Sequence, residues 1–170
     1  MFNKNICNSY QELYNKAVEN NFKIYGDLDK YNNKFEIIFL PEYEFSCGLM
    51  YYDHGISSQI LLLDNLPRLF VGFDKWIINI DYINKVEIYK QKSISLFYEF
   101  VKMESYILAI YELDIFVFNS ECMLIWSSGF RDIIEKYEVI DGKTILITCS
   151  NGDKNEFEIK DGEILNNHTK

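Results

Sequence analysis

Histidine and arginine are almost missing from this chain, with two residues of each among 170. His168 sits in the polar stretch Asn166-Asn-His-Thr-Lys170, so His54 is the one histidine placed for chemistry. That excludes a histidine-rich transition-metal site. Only Arg68 and Arg131 can clamp a carboxylate or phosphate with a guanidinium fork. Glycine is limited to eight residues, and neither the phosphate-loop nor the dinucleotide-binding glycine pattern occurs. Cys7, Cys47, Cys122 and Cys149 form no Cys-x-x-Cys pair, which removes zinc and thioredoxin-like signatures. Free, buried thiols in a reducing cytosol are expected instead. The longest apolar run, Tyr106 to Tyr111, falls far short of the roughly 20 residues a spanning helix needs. No apolar secretory segment comes after Met1–Asn8, so a cytoplasmic location without membrane association is expected. Basic residues are outnumbered 17 to 26, for a net charge of −9. Binding nucleic acid through its phosphates needs the opposite balance.

What the chain does have is aromatic material. Thirteen Tyr, 13 Phe and two Trp make up 16% of it, beside 48% hydrophobic and 25% charged residues. This composition rules out intrinsic disorder and can fill a substantial core. The length suits a single domain spanning residues 1–170.

The hydrophobic pattern predicts a mainly β fold: an antiparallel, meander-rich sheet or sandwich with one short N-terminal helix. Ser9-Tyr-Gln-Glu12 reads as a capping box. Tyr10, Leu13, Tyr14, Ala17 and Val18 then share a helical face over about 9–20. Strand patterns dominate the rest of the chain. Ile94, Leu96, Tyr98 and Phe100 alternate with Ser93, Ser95 and Glu99, and Phe157 and Ile159 alternate with Glu156 and Glu158. Asp141-Gly142, Asn151-Gly152 and Asp161-Gly162 each suit a tight hairpin turn between strand-like runs. A second short helical turn is expected near 130–136, and fraying over 166–170. The run from Leu69 through Asp81 to Ile88 is echoed from Ile115 through Asp132 to Val139, the aspartates 51 residues apart. A period near 50 gives too few units for an ordinary closed propeller, so a sandwich or one strongly bent sheet is expected.

Catalytic candidates are few. Tyr51-Tyr-Asp-His-Gly-Ile-Ser-Ser58 is the one segment where histidine, aspartate and serine are neighbours. A hydrolase would use Asp53 and His54 there, with Ser57 or Ser58 as nucleophile; a polar hairpin loop is the simpler reading. Asp27-x-Asp29 and Glu42-x-Glu44 lack the EF-hand pattern, so no metal or cofactor is expected. The C-terminal half, residues 86–170, holds 15 acidic and nine basic residues. Its carboxylates alternate with core positions and should project from one sheet face, which attracts a basic partner. In general character the chain resembles small β-rich bacterial immunity partners of secreted toxins. The expected function is therefore a non-catalytic protein-binding module that neutralises a toxin domain, most suitably a cationic one. The expected contact residues are Tyr51, Tyr52, Asp53 and His54 in the loop, and Asp153, Glu156, Glu158 and Glu163 in the meander. A hydrolase, or a structural, homo-oligomeric subunit joined through exposed strands, are the alternatives.

Overall fold

A computed structural model describes residues 1–168. It is mainly β, as the alternation implies, with sixteen strands, one α-helix and one 3-10 turn among the described residues. The strands form four sheets of four, and the chain divides into two compact units, Met1–Lys90 and Gln91–Lys170. One long bent sheet is not what forms.

In the first unit, β1 (Asn3–Cys7), α1 (Tyr10–Asn20), β2 (Lys23–Tyr25), β3 (Lys34–Leu40) and β4 (Phe45–Tyr51) build a sheet of order β1-β3-β4-β2. Its short β2 runs parallel to β4; its other pairings are antiparallel. Ser9 caps α1, its Oγ accepting from the Glu12 amide at 3.2 Å. The reciprocal half of the box is displaced by one residue, with Glu12 Oε2 accepting from the amide of Asn8 at 2.8 Å. The helix buries Leu13 and Ala17 on one face of the sheet, while Tyr14 and Val18 stay exposed. Gly48 permits this close approach, because a Cβ there would lie 3.0 Å from Leu13 Cδ1. The second sheet comes next, as β5 (Gln59–Leu62), β6 (Arg68–Phe73), β7 (Trp76–Asp81) and β8 (Val86–Lys92). Ile38, Leu40 and Leu49 of the first sheet share one core with Leu69, Val71 and Ile78 of the second.

The second unit repeats this pairing. β9 (Phe97–Lys102), β10 (Tyr106–Tyr111), β11 (Asp114–Asn119) and β12 (Leu124–Gly129) form one sheet. β13 (Ile134–Ile140), β14 (Thr144–Cys149), β15 (Lys154–Glu158) and β16 (Ile164–His168) form the other. Leu108, Ile110, Ile115 and Val117 meet Ile145, Ile147, Phe157 and Ile159 in a common core. Trp126 stacks on Phe157 at 5.6 Å and donates its indole N–H to the Ile159 carbonyl at 2.7 Å. The three Asx-Gly pairs lie between the strands of the last sheet as expected. Asp141 (φ 50°) and Gly142 (φ 65°) both adopt the left-handed conformation, and the Lys143 amide donates to the Ile140 carbonyl at 3.1 Å across them, in a three-residue loop between Ile140 and Thr144.

The sequence echo takes a different period. β6, β10 and β14 begin at residues 68, 106 and 144, so equivalent strands recur every 38 residues. The counterpart of Asp81 is Asn119 and not Asp132. Asp81 Oδ1 accepts from the amides of Ile83 (3.1 Å) and Asn84 (2.9 Å). Asn119 Oδ1 does the same for Glu121 (3.0 Å) and Met123 (2.9 Å), and Asp161 Oδ1 for Glu163 (3.0 Å). A side-chain oxygen closing the turn is the recurring element, and Asp and Asn supply it equally.

Three local expectations fail. Residues 130–133 are irregular, with a bend at 131 and 132, and lead directly into β13; the additional helical turn lies at Pro41–Tyr43, where proline presets its first position. The tail does not fray at 166, because β16 pairs with β15 as far as His168; residues 169 and 170 lie outside the described residues. The pattern from Ser93 is inverted at its start. Ile94 is 80% exposed while Ser93 and Ser95 are buried. Both hydroxyls donate to Asp114 Oδ2, at 2.5 and 2.6 Å, and this polar knot holds the segment in bends before β9 begins.

The Asp81 turn yields a pH prediction. Its carboxyl is held at about 2, below the ordinary 3.8, first by the Asn84 amide and then by the Asn84 side chain and Arg68. A depressed carboxylate stabilises the fold above the unfolded value, and that contribution is lost as pH falls from 3.8 through about 2. Asp81→Asn should therefore lower stability near neutral pH by about 2 kcal/mol, because Arg68 loses its counter-charge. Denaturant titrations should show the difference from wild type shrinking as pH falls through this window. A pH-independent difference would contradict the assignment.

Candidate partner-binding site

The loop between β4 and β5 carries the His-Asp-Ser neighbourhood of the sequence, and the fold separates its members. Tyr51 is a core residue, 2% exposed, with its ring 5.4 Å from that of Phe73. Burial, aided by the nearby Glu36 charge, pushes its phenol well above the ordinary value. Tyr52 is exposed and packs edge-on against His54, ring centroids 4.8 Å apart. His54 Nε2 approaches Asp74 Oδ1 at 3.4 Å. Asp53 serves the loop: its Oδ1 accepts from the Gly55 amide at 2.8 Å, and its Oδ2 lies 3.5 Å from Lys34 Nζ. The Asp53 amide donates to Asn33 Oδ1 at 2.8 Å. Of the four expected contact residues here, Tyr52, Asp53 and His54 reach the surface, and Tyr51 does not.

Ser58 belongs to a buried polar cluster that sequence proximity did not announce. It is 5% exposed, and its hydroxyl donates to Glu36 Oε2 at 2.5 Å. Lys4 Nζ donates to Ser58 Oγ at 2.7 Å and to its carbonyl at 2.9 Å, and stands 3.6 Å from Glu36. The Ser58 amide donates to the Tyr51 hydroxyl at 3.3 Å. Lys4 comes from β1, Glu36 from β3 and Tyr51 from β4, so the cluster fastens the end of the loop to three strands. As an ammonium paired with a carboxylate, Lys4 donates and has no lone pair to take a proton. The serine hydroxyl donates to Glu36, inside the cluster.

In the second unit the acidic residues do share a face. Phe157 and Ile159 enter the core, which turns Glu156 and Glu158 to the opposite side of β15. Register places Glu138, Leu146, Glu156 and Asn166 in one cross-strand row, and Ile140, Thr144 and Glu158 in the next. Glu158, Asp161 and Glu163 bring carboxylate oxygens within 4.8 Å of one another. Lys160 Nζ lies 2.9 Å from Glu158 and 3.8 Å from Asp161, and Asn166 Nδ2 donates to Glu156 at 2.6 Å. Glu138 and Asp161 are members of this face that the sequence reading missed. Alternation along β13 marks Glu138, but its neighbour across the sheet is visible only from the register.

Asp153 lies apart from that row, in the turn between β14 and β15. Its Oδ2 and that of Asp132 both accept from Asn151 Nδ2, at 2.8 and 2.9 Å. With Arg131, Phe130 and Cys149 they line a cleft of about 260 Å³. Burial, then the charges of Asp153 and Asp132, push the Cys149 thiol up. All four cysteines are free and buried, as expected.

No family model and no curated protein matches the chain. Among solved structures, BamB from Moraxella catarrhalis is 14% identical, with a TM-score of 0.48 over 83% of this chain and 46% of its own. The chain thus spans less than half the length of that protein. The computationally designed Ika4 protein is 15% identical, with a TM-score of 0.48 over 68% of this chain and 75% of its own. A europium-containing methanol dehydrogenase is 10% identical, with a TM-score of 0.42 over 59% of this chain and 23% of its own. These likenesses assign no activity to the chain. No helix among the described residues is long and apolar enough to cross a membrane.

The polar cluster makes a stability prediction. Lys4→Met leaves the Glu36 carboxylate buried without its cation and should cost about 3 kcal/mol. Replacing both, Lys4→Met with Glu36→Leu, should recover most of that loss. Denaturant unfolding of the two variants checks this, and equal losses in both would contradict the pairing.

Proposed function

We propose that the chain is a non-catalytic protein-binding module, an immunity or inhibitor protein that neutralises a bacterial toxin domain through the acidic outer face of its last sheet. The observation that carries this reading is the convergence of Glu158, Asp161 and Glu163 within 4.8 Å, with Glu156 and Glu138 on the same sheet face. Lys160 answers Glu158 and Asp161, and Lys136 stands 3.8 Å from Glu138, yet carboxylates outnumber these ammonium groups on the face, so a further cationic side chain is favoured there. A basic partner, such as a nuclease domain whose cleft accepts phosphates, offers such side chains. The occupied hydroxyl of Ser58, hidden between Lys4 and Glu36, supports a binding role over hydrolysis. Four free thiols suit a reducing, cytoplasmic compartment, where an immunity protein meets its toxin before release.

The test uses a toxin domain, which this reading expects to be encoded beside this chain's gene. Co-expression should restore growth, and the purified proteins should form a complex. Glu156→Lys combined with Glu158→Lys should slow association at low salt by about tenfold or more, and the difference should fade as salt screens the face. Absence of protection and of a complex would overturn the reading. An unchanged association rate would overturn the assignment of the face.

A further inference from the structure

The backbone on the open side of an outer strand is available to pair with another chain. β12 is such a strand, with β11 as its one neighbour among the described strands. Register shows which of its backbone groups point outward. Asp114 lies opposite Gly129 and Phe116 opposite Ser127, and the Phe130 amide donates to the Leu113 carbonyl at 2.8 Å. Hydrogen-bonded and non-hydrogen-bonded pairs alternate along an antiparallel ladder. Trp126 and Ser128 therefore bond to β11, and the N–H and C=O groups of Ser127 and Gly129 point away from it. Neither residue makes a hydrogen bond on that side among the described residues, and both are exposed.

Outer strands are ordinarily blunted by charge or proline. β8, one repeat of 38 residues earlier, carries Glu87, Lys90 and Lys92. β9 carries Glu99 and Lys102, and β13 carries Glu135, Lys136 and Glu138. β12 has no charged residue and no proline. β5 and β16 also lack acidic and basic residues other than histidine, but β5 is half-buried throughout and β16 carries Asn166 and Asn167. The one irregularity in the β11–β12 ladder, a register shift at Phe118, lies at the Leu124 end and leaves Trp126 to Gly129 regular. Met123, Leu124 and Ile125 are exposed side by side, at 55%, 38% and 37%.

The surface next to β12 is acidic. The Trp126 indole donates to the Ile159 carbonyl at 2.7 Å, and a Cβ on Gly162 would lie 2.7 Å from the same ring. The turn that carries Glu158, Asp161 and Glu163 is thus pinned against β12. A strand laid along the open side of β12 places alternate side chains on the Trp126 face, beside this turn. Lysine or arginine there meets three carboxylates that share the one ammonium of Lys160, whereas aspartate or glutamate meets repulsion.

We infer that β12 accepts an extended segment of the partner protein, with alternating apolar and basic residues, as a fifth strand of its sheet. The inference rests on the acidic-face reading above and adds the mode of contact. Backbone pairing at Ser127 and Gly129 supplies the attachment. Apolar side chains of the segment cover Leu124 and Ile125, and basic ones reach Asp161 and Glu163.

The probe is the peptide acetyl-Lys-Val-Lys-Val-Lys-Val-Lys-amide, added to the labelled full chain. It should slow hydrogen exchange of the Ser127 and Gly129 amides by about tenfold or more. The same peptide with Glu in place of Lys should leave both amides unchanged. Ser127→Lys adds a repelling charge, and Ser127→Pro removes an outward N–H without touching the β11 ladder. Both variants should unfold near the wild-type temperature yet bind the Lys-Val peptide at least about tenfold more weakly. Absence of protection at up to about 5 mM peptide, equal effects of the Lys and Glu peptides, or unchanged binding by the folded variants would each overturn the inference. Resonance shifts confined to Glu156 and Glu158 would overturn strand pairing and leave the acidic face standing, while failure of the toxin reading shows separately as absence of protection from the toxin.

Discussion

A four-stranded sheet of this composition has apolar side chains it cannot leave in water, and burial by a second sheet is the constraint on which the rest depends. In each unit two sheets meet through one core, Ile38, Leu49, Leu69 and Val71 in the first and Leu108, Val117, Ile145 and Ile147 in the second. Each such side chain contributes about 1.5–3 kcal/mol on burial, far more than any exposed ion pair. The remaining face of the first sheet is covered by α1 through Leu13 and Ala17. The outer face of the last sheet is polar, and its carboxylates therefore stand where a partner can reach them.

Polar fasteners decide where the chain turns and which groups remain available. Asp81, Asn119 and Asp161 close equivalent turns, and Asp114 gathers Ser93 and Ser95. Lys4, Glu36 and Ser58 close the loop after β4. Ser58 is bound into such a knot and buried. The carboxylates around Glu158 lie outside these knots, at the surface, and share one ammonium, that of Lys160.

The β class, the capped first helix and the Asx-Gly hairpins were legible because each rests on local physics: alternation, a serine oxygen for a free amide, positive φ at glycine. The repeat length was not. Strands rich in Ile and Tyr match one another in many alignments, and the element that recurs is a turn oxygen carried by either Asp or Asn. The projection of Glu156 and Glu158 comes from alternation with Phe157. Their convergence with Glu138 and Asp161 depends on register and on a turn. Tyr51 was misread because two adjacent tyrosines offer no sign of which enters the core. Lys4 and Glu36 lie 32 residues apart, and no spacing rule joins them.

The central claim is that paired sheets stabilise one another through a common core. Native-state hydrogen exchange on Ile147→Ala tests it most directly, since this β14 side chain is fully buried. The shared core predicts lost amide protection in β10 and β11 as well as in β14 and β15. Loss confined to β13–β16, with β10 and β11 protected as in wild type, would contradict it.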